Sequence, residues 1–387
     1  MRLVYLDYNS TTPMDPRVHA KMQPFFDLHF GNPASQSHAK GWQTASEVEA
    51  ARNEVALLLN CKPQEITFTN GATESNNWAI KGLIQSILTE MPSEKIHVLT
   101  TSVEHASVSE PLKYLEKKGL IELTEVPVDS LGMIQIASLE KLKKTNTRFL
   151  CVIWCQNEIG TIQNMTEICQ WASNNNLLVL SDATQAVGKL NVDLNAAAVS
   201  MLSFSGHKIY GPKGSGVLFT RQNNPKIVLE PLLHGGGQEK LGRSGTLNVP
   251  GIVGLGEACK IARLQKAQDF QEAVKRDQIL QGTLNQEFAN KIKFNGNLAQ
   301  KSPYVLSLTL NQIQSFQLLP KIQNLCVSAG SACGSGNMKA SPTLMAIGHN
   351  PDDLSMTLRI SHGRMTTEVD INEAINSLVK ALKSLDF

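Results

Sequence analysis

Lys208 is the last residue of the hexapeptide 203–208, Ser-Phe-Ser-Gly-His-Lys, which continues an apolar, strand-like segment at residues 199–204. Burial beside a core disfavours the ammonium form of a lysine and lowers its pKa. A neutral amine can condense with a carbonyl, as in the Schiff base that pyridoxal 5'-phosphate (PLP) forms with a lysine. Ser205 and His207 are suited to bind a phosphate group. The hexapeptide therefore points to a PLP lysine, although most lysines in glycine-rich loops are solvated surface residues.

Two other motifs overlap this turn, and both are incomplete. Residues 205–208 match S-x-x-K, but the chain has no S-D-N or K-T-G element that would complete an acyl-serine site. Residues 211–215, Gly-Pro-Lys-Gly-Ser, lack the G-x-x-x-x-G-K-[ST] spacing that wraps a triphosphate. The sequence therefore favours neither an acyl-serine enzyme nor a P-loop protein.

Four polar residues each follow a strand-like segment, namely His105, Asn157, Asp182 and Lys208. Open α/β sheets bind ligands at the carboxyl ends of their strands, so these side chains are candidates for one site. Asp182 would hold a pyridinium nitrogen protonated, Gln185 would reach the ring hydroxyl, and His105 would stack on the cofactor and move protons. The alternatives are a helix cap at Asp182, a surface histidine at position 105, and a turn residue at Asn157.

Three glycine-rich segments could also bind an anion. Residues 70–73, Asn-Gly-Ala-Thr, lie between a predicted strand and a predicted helix, whose free N–H groups attract phosphate. A simple turn with Thr73 as the helix cap is the alternative there. Residues 234–238 and 243–246 would suit a phosphate or a subunit contact, or would be a flexible connector.

Cys333 and Arg359 are further candidates in the last quarter of the chain. Cys333 lies among Gly, Ala and Ser at residues 328–336, with almost nothing apolar to pack against. This setting is typical of an exposed, reactive thiol, whereas Cys326 in an apolar run is expected in a core. Arg359 lies inside a strand-like run, where it needs an anionic partner: a substrate carboxylate or an internal salt bridge.

The composition is that of an ordinary globular protein and limits the kinds of partner to expect. The chain has 387 residues, 42% of them hydrophobic, and a formal net charge of +2, which gives no reason to expect a nucleic-acid or membrane partner. We expect a cytoplasmic protein because the N-terminus lacks the apolar core of a signal peptide. Seven scattered cysteines predict reduced thiols, and no ligand spacing predicts a metal site.

Strand-like and helical patterns alternate from about residue 65 to 220, which predicts an α/β fold with a mostly parallel sheet. The predicted strands cover 65–69, 96–101, 149–155, 177–181, 199–204 and 216–220. After about residue 256 a long helical stretch, two strands and a final helix predict a smaller α+β domain. We expect a large domain at 14–256 and a small domain formed by 1–13 and 257–387.

The chain resembles the cysteine desulfurases, PLP enzymes of fold type I that are related to the class V aminotransferases. The matching segments run in family order over nearly the whole chain: 6–13, 30–35, 71–76, 104–105, 157–160, 182–185, 203–208, 243–246 and 330–333. The resemblance implies a large domain with a mostly parallel, seven-stranded sheet. It also implies that the small domain carries the catalytic cysteine on a loop at about 328–341.

Carried over position by position, the resemblance implies a role for each matching residue. Lys208 would form the Schiff base with PLP and move protons, and Cys333 would take the sulfur of L-cysteine as a persulfide while L-alanine leaves. Contacts with the cofactor ring are implied for His105, Asn157, Asp182 and Gln185. Phosphate binding is implied for Ala72, Thr73, Ser205 and His207, with Thr246 from the other subunit of a homodimer. Binding of the substrate carboxylate is implied for Asn157 and Arg359.

Some segments differ from the family pattern, and they bear on the sulfur acceptor. Gly334 stands where a threonine is common, residues 337–340 are unusual, and the glycine of the 238–242 loop is shifted by one place. The chain ends directly after its last predicted helix, where housekeeping members carry a longer tail that docks an iron–sulfur scaffold protein. We expect a group I enzyme that supplies iron–sulfur cluster assembly or thiolation pathways. Selenocysteine lyase, an aminotransferase, or an inactive scaffold-binding subunit are the alternatives.

Overall fold

The computed structural model describes residues 2–92, 94–223, 226–239, 242–329 and 341–387. Its strands are β1 (Val4–Tyr5), β2 (Ile66–Thr69), β3 (Ile96–Thr101), β4 (Ile121–Val126), β5 (Thr147–Cys151), β6 (Leu178–Asp182), β7 (Met201–Ser205), β8 (Gly216–Thr220), β9 (Ile292–Phe294), β10 (Val305–Leu310), β11 (Leu325–Cys326), β12 (Ser328–Ala329) and β13 (Thr357–Ser361). Its helices are α1 (Pro16–Met22), α2 (Pro24–Asp27), α3 (Ala39–Leu59), α4 (Ala72–Glu90), α5 (Ala106–Lys117), α6 (Ile136–Leu142), α7 (Met165–Asn174), α8 (Val249–Phe288), α9 (Ser315–Leu318), α10 (Pro342–Ala346), α11 (Pro351–Leu354) and α12 (Glu368–Lys383).

Seven strands form the main sheet in the order β2-β8-β7-β6-β5-β3-β4. The strands from β7 to β4 are parallel, and only β8 runs antiparallel to its neighbours β7 and β2. This arrangement confirms the predicted mostly parallel, seven-stranded sheet. The sequence pattern missed β4, an edge strand whose middle residues are only partly buried, and it extended β5 by four residues beyond Cys151.

Helices cover both faces of this sheet. Successive residues of β5 point to opposite faces: Phe149 packs with α4 and α5, whereas Leu150 packs with α3, α7 and the first half of α8. Strands covered on both faces are expected to be buried along their length, as β7 and β8 are at every residue. The polar residues that follow them are therefore left at the sheet edge, where a ligand can reach them.

A smaller antiparallel sheet, in the order β12-β13-β10-β9, packs against α12 and the second half of α8. The N-terminal strand β1 pairs with β11 beside it, so residues 4 and 6 belong to this second core. α8 passes without interruption from the core of the main sheet to the second core. The predicted boundary between residues 256 and 257 falls inside this helix.

The described part of the chain contains no helix that is both long enough and apolar enough to cross a bilayer. Its six cysteines are free thiols, and in the same residues no group of three or more His, Cys, Asp or Glu side chains could hold a metal ion.

Candidate active site

A cleft of about 610 Å³ opens at the carboxyl ends of β3, β6 and β7. It brings together most of the site residues predicted from the sequence: Ala72, Thr73, His105, Asn157, Asp182, Gln185, Ser205, His207, Lys208 and Arg359. Thr246 is exposed and does not line the cleft. The predicted nucleophile Cys333 lies outside the described residues.

Lys208 lies on a short 3-10 turn, Gly206–Lys208, that directly follows β7. Its Nζ donates to the main-chain oxygens of Asn9 at 2.6 Å and Ser10 at 2.8 Å. The hydroxyl of Thr12 donates to the main-chain oxygen of His207 at 2.9 Å. The N-terminal segment thus crosses from the small sheet and fixes the lysine turn, a contact that the sequence pattern did not reveal.

A second lysine, Lys189, lies buried behind the cleft. Its Nζ donates to Oε1 of Gln185 at 2.7 Å and lies 3.4 Å from Oδ1 of Asn9. Burial, followed by repulsion from Lys208, lowers the pKa of Lys189 to about 7. Nε2 of Gln185 donates to the main-chain oxygen of Asn9 at 2.9 Å. Lys189 therefore orients Gln185, and its place four residues after Gln185 is the signal that sequence reasoning missed.

Asp182 ends β6 with its side chain buried. Its Oδ1 accepts from the main-chain N–H of Thr184 at 3.0 Å, and its Oδ2 accepts from Nδ2 of Asn76 at 2.9 Å. These donors hold the carboxylate in one orientation in the cleft. The hydroxyl of Thr184 is buried and has no hydrogen-bond partner among the described residues, so it is free to bind a ligand.

His105 caps the N-terminus of α5 and is exposed to the cleft. Its Nδ1 accepts from the main-chain N–H of Ser107 at 3.1 Å. The preceding carboxyl group of Glu104 accepts from Oγ1 of Thr101 and from the main-chain N–H of Ile153, both at 2.7 Å. Burial raises the pKa of Glu104 to about 8. Glu104 thereby joins the ends of β3 and β5 beneath His105.

The opposite end of the cleft is built for an anion. Gly71 precedes α4 with φ of +150°, and no described side chain caps the first turn of that helix. A Cβ at Gly71 would lie 3.2 Å from Oγ of Ser205, and one at Gly216 would lie 2.4 Å from Cα of Gly71. Burial and the neighbouring lysines, Lys208 first, lower the pKa of His207 to about 4. The glycines thus bring backbone and hydroxyl close together at a helix N-terminus, where phosphate binds favourably.

These observations fit PLP. An uncapped helix N-terminus with serine and histidine would take the phosphate, Asp182 would pair with the ring nitrogen, and the amine of Lys208 would reach the aldehyde. The unpartnered hydroxyl of Thr184 adds a donor beside the same carboxylate.

Arg359 on β13 reaches the cleft from the small sheet. Its Nη2 donates to Oδ1 of Asp7 at 2.9 Å, to Oγ of Ser10 at 2.8 Å and to Oγ of Ser328 at 3.0 Å. The internal salt bridge considered from the sequence is therefore present. Its Nη1 lies 3.3 Å from the main-chain oxygen of Asn157, and its buried Nε has no partner within the described ranges. The guanidinium is held on one side and keeps donors for a further anion.

The described segments that flank residues 330–340 both end near this site. β12 pairs with β13 beside Arg359. On the other flank, Ser341 donates to Oε2 of Glu158 at 2.6 Å, and Nε2 of Gln156 donates to Oγ1 of Thr343 at 2.8 Å.

Comparison with known proteins places these features in a family. The model of the class V aminotransferases matches residues 4–373. The chain is 41% identical to the cysteine desulfurase IscS of Neisseria gonorrhoeae over 99% of this chain and 93% of that protein, and 40% identical to IscS of Pectobacterium carotovorum over the same shares. A solved NifS-like protein superposes with a TM-score of 0.89 at 33% identity, covering 99% of this chain and all of that one. SspA, solved in complex with cysteine, superposes with a TM-score of 0.80 at 32% identity, covering 94% and 99%.

Proposed function

The chain belongs to the class V aminotransferase family, within its NifS/IscS-like cysteine desulfurases, and on that premise we propose that it uses PLP to take sulfur from L-cysteine. The products are L-alanine and a persulfide on Cys333. The C–S bond of the substrate breaks, and an S–S bond forms between the substrate sulfur and the sulfur of Cys333. The hydrogen that the Cys333 thiol loses is recovered in the methyl group of L-alanine. One observation carries this proposal: a single cleft contains Lys208, Asp182 and His105 with the N-terminus of α4, which no side chain of the described residues caps.

PLP, when bound, supplies an electron sink that stabilises negative charge on the substrate Cα. The protein supplies the groups around it. The amine of Lys208 would hold the cofactor at its aldehyde and would carry the proton of the substrate Cα. The carboxylate of Asp182, held by Thr184 and Asn76, keeps the ring nitrogen protonated. Gln185, oriented by Lys189, would bind the ring hydroxyl.

Ala72, Thr73, Ser205 and His207 would hold the phosphate at the N-terminus of α4. His207 would donate a hydrogen bond to the phosphate, and the N-terminus of α4 would supply the positive end of a helix dipole. Thr246 of a second subunit completes the site in a homodimer. Its exposure outside the cleft of its own subunit is consistent with that role.

Arg359 and Asn157 bind the carboxylate of L-cysteine. The salt bridge with Asp7 fixes the guanidinium plane, so the charge of Arg359 is held in position at the cleft for the substrate carboxylate. Cys333 then attacks the substrate sulfur as a thiolate.

The test measures alanine and sulfide released from L-cysteine under reducing, anaerobic conditions. Wild type should release both in equal amounts, and a Cys333→Ser variant should release almost none while keeping the visible absorption of bound PLP. Cys326→Ser is the matched control and should keep full activity. Equal turnover by wild type and Cys333→Ser would refute the persulfide mechanism and favour a lyase such as selenocysteine lyase.

We also propose a cytoplasmic enzyme whose persulfide passes to an acceptor protein, such as an iron–sulfur scaffold. Incubation with L-[35S]cysteine and a purified scaffold protein should transfer label to the scaffold from wild type and not from Cys333→Ser. Label that stays on the enzyme would favour a different acceptor.

A further inference from the structure

Asn76 connects the two sides of the cofactor cleft through its side-chain amide. It lies in α4, and its side chain is fully buried. Oγ of Ser203 donates to its Oδ1 at 2.6 Å. Its Nδ2 therefore faces the other way, where it donates to Oδ2 of Asp182 and to Oγ of Ser107, both at 2.9 Å. A carboxylate only accepts hydrogen bonds, so this orientation is the one that satisfies every partner.

This orientation leaves the hydroxyl hydrogen of Ser107 available for His105. Oγ of Ser107 receives a hydrogen from Asn76, and its own hydrogen has an acceptor 2.8 Å away in Nδ1 of His105, which also accepts from the main-chain N–H of Ser107. This main-chain bond is the helix cap of α5. Nδ1 accepts from two donors and so cannot carry the proton of a neutral ring.

We propose that Asn76 and Ser107 are positioning residues that hold neutral His105 as the Nε2–H tautomer. The ring then presents a hydrogen-bond donor to the cleft, and neither of its nitrogens is available to accept a proton from the substrate. A proton also cannot pass from His105 through Ser107 to Asn76, because the amide of Asn76 donates both of its hydrogens and cannot take up a proton. His105 therefore does not take the first proton from the substrate.

The functional part of this inference rests on the proposed desulfurase reaction, but the tautomer does not. Nitrogen NMR of protein labelled with 15N-histidine shows which ring nitrogen carries the proton of the neutral ring. The His105 signals are assigned by their loss in a His105→Gln variant. We expect Nε2–H in the wild-type holoenzyme. A proton on Nδ1 would overturn the proposal, whatever the enzyme turns over.

Ser107→Ala should give a mixture of the two tautomers, because only the main-chain donor to Nδ1 remains. Loss of one hydrogen bond of ordinary strength should lower kcat about fivefold, with KM changed less than about twofold. Ser107→Thr retains the hydroxyl and should restore both the tautomer and kcat. Ser109→Ala, on the same helix outside the relay, is the matched control and should behave as wild type.

Unchanged tautomer and kcat in Ser107→Ala would also overturn the proposal. If the wild-type protein shows the Nε2–H tautomer but does not turn over L-cysteine, the proposed function fails and the inference about His105 stands.

Discussion

Replacing Lys189 with methionine should change how the stability of the protein depends on pH. The side chain is 5% exposed, and burial lowers its pKa from 10.5 to about 7. Methionine keeps a chain of similar length and removes the ammonium group. In the unfolded chain the lysine regains its ordinary pKa and stays protonated to about pH 10.

The sign follows from the protons bound in each state. Above about pH 7 the folded protein releases the proton from Lys189 while the unfolded chain keeps it, so the free energy of unfolding rises with pH. Below about pH 7 both states hold the proton, and this contribution is lost. Integration from about pH 7 to about pH 9 gives about 2 kcal/mol of added stability. Because the group is nearly fully buried, solvent screening does not reduce this figure.

The assay is thermal unfolding of cofactor-free wild type and Lys189→Met at the two pH values. With about 2.1 cal/mol/K of unfolding entropy per residue, a chain of 387 residues shifts its Tm by about 3 °C for this energy. The Tm of wild type should therefore rise about 3 °C more than that of the variant. Loss of the hydrogen bond to Gln185 lowers the stability of the variant equally at both pH values and cancels. Parallel pH profiles would refute the reasoning, because the ammonium would then stay charged in the folded protein.

Three other perturbations follow from the structure. Glu239→Gln breaks the buried ion pair with Arg52. Removing one partner of such a pair costs about 3 kcal/mol, so the Tm should fall by about 4 °C, and an unchanged Tm would contradict this. Gly216→Ala places a Cβ 2.4 Å from Cα of Gly71, which should push the two segments apart at the anion end of the cleft. The affinity for PLP, measured by titration, should then fall at least about tenfold, and an equal affinity would show that this close approach is not needed. Burial raises the pKa of five thiols, so they should resist alkylation by iodoacetamide in the native protein at about pH 8. Mass spectrometry would show the modified residues, and rapid alkylation of any of the five would contradict the burial. These thiols are Cys61, Cys151, Cys155, Cys169 and Cys259.

The sequence predicted those elements whose pattern is local. Strands such as β3 and β7 are buried at every residue and rich in apolar side chains because helices cover both faces, and the polar residue after each strand marks the ligand edge. β4 lies at the sheet edge with Glu122 and Glu125 in its middle, so it lacks that apolar signature. The family resemblance then gave each polar residue a role that its local pattern left open.

The contacts that fix the site could not be predicted, because they join distant parts of the chain. Lys208 and Ser10 are 198 residues apart, and Arg359 and Asp7 are 352 apart. Periodicity reports which face of an element is buried, but it carries no information about which segment covers that face. The sequence left both a substrate carboxylate and an internal salt bridge open for Arg359, and only the fold brings Asp7 to it.

The continuous helix α8 has a consequence for how the molecule can be divided. Its first turns are packed in the core of the main sheet and its last turns in the core of the small sheet, so neither core is complete without it. A cut between residues 256 and 257 would separate the first turns of the helix from the rest. The two halves should therefore not fold when they are produced as separate polypeptides, and a protease should find no exposed linker at that position.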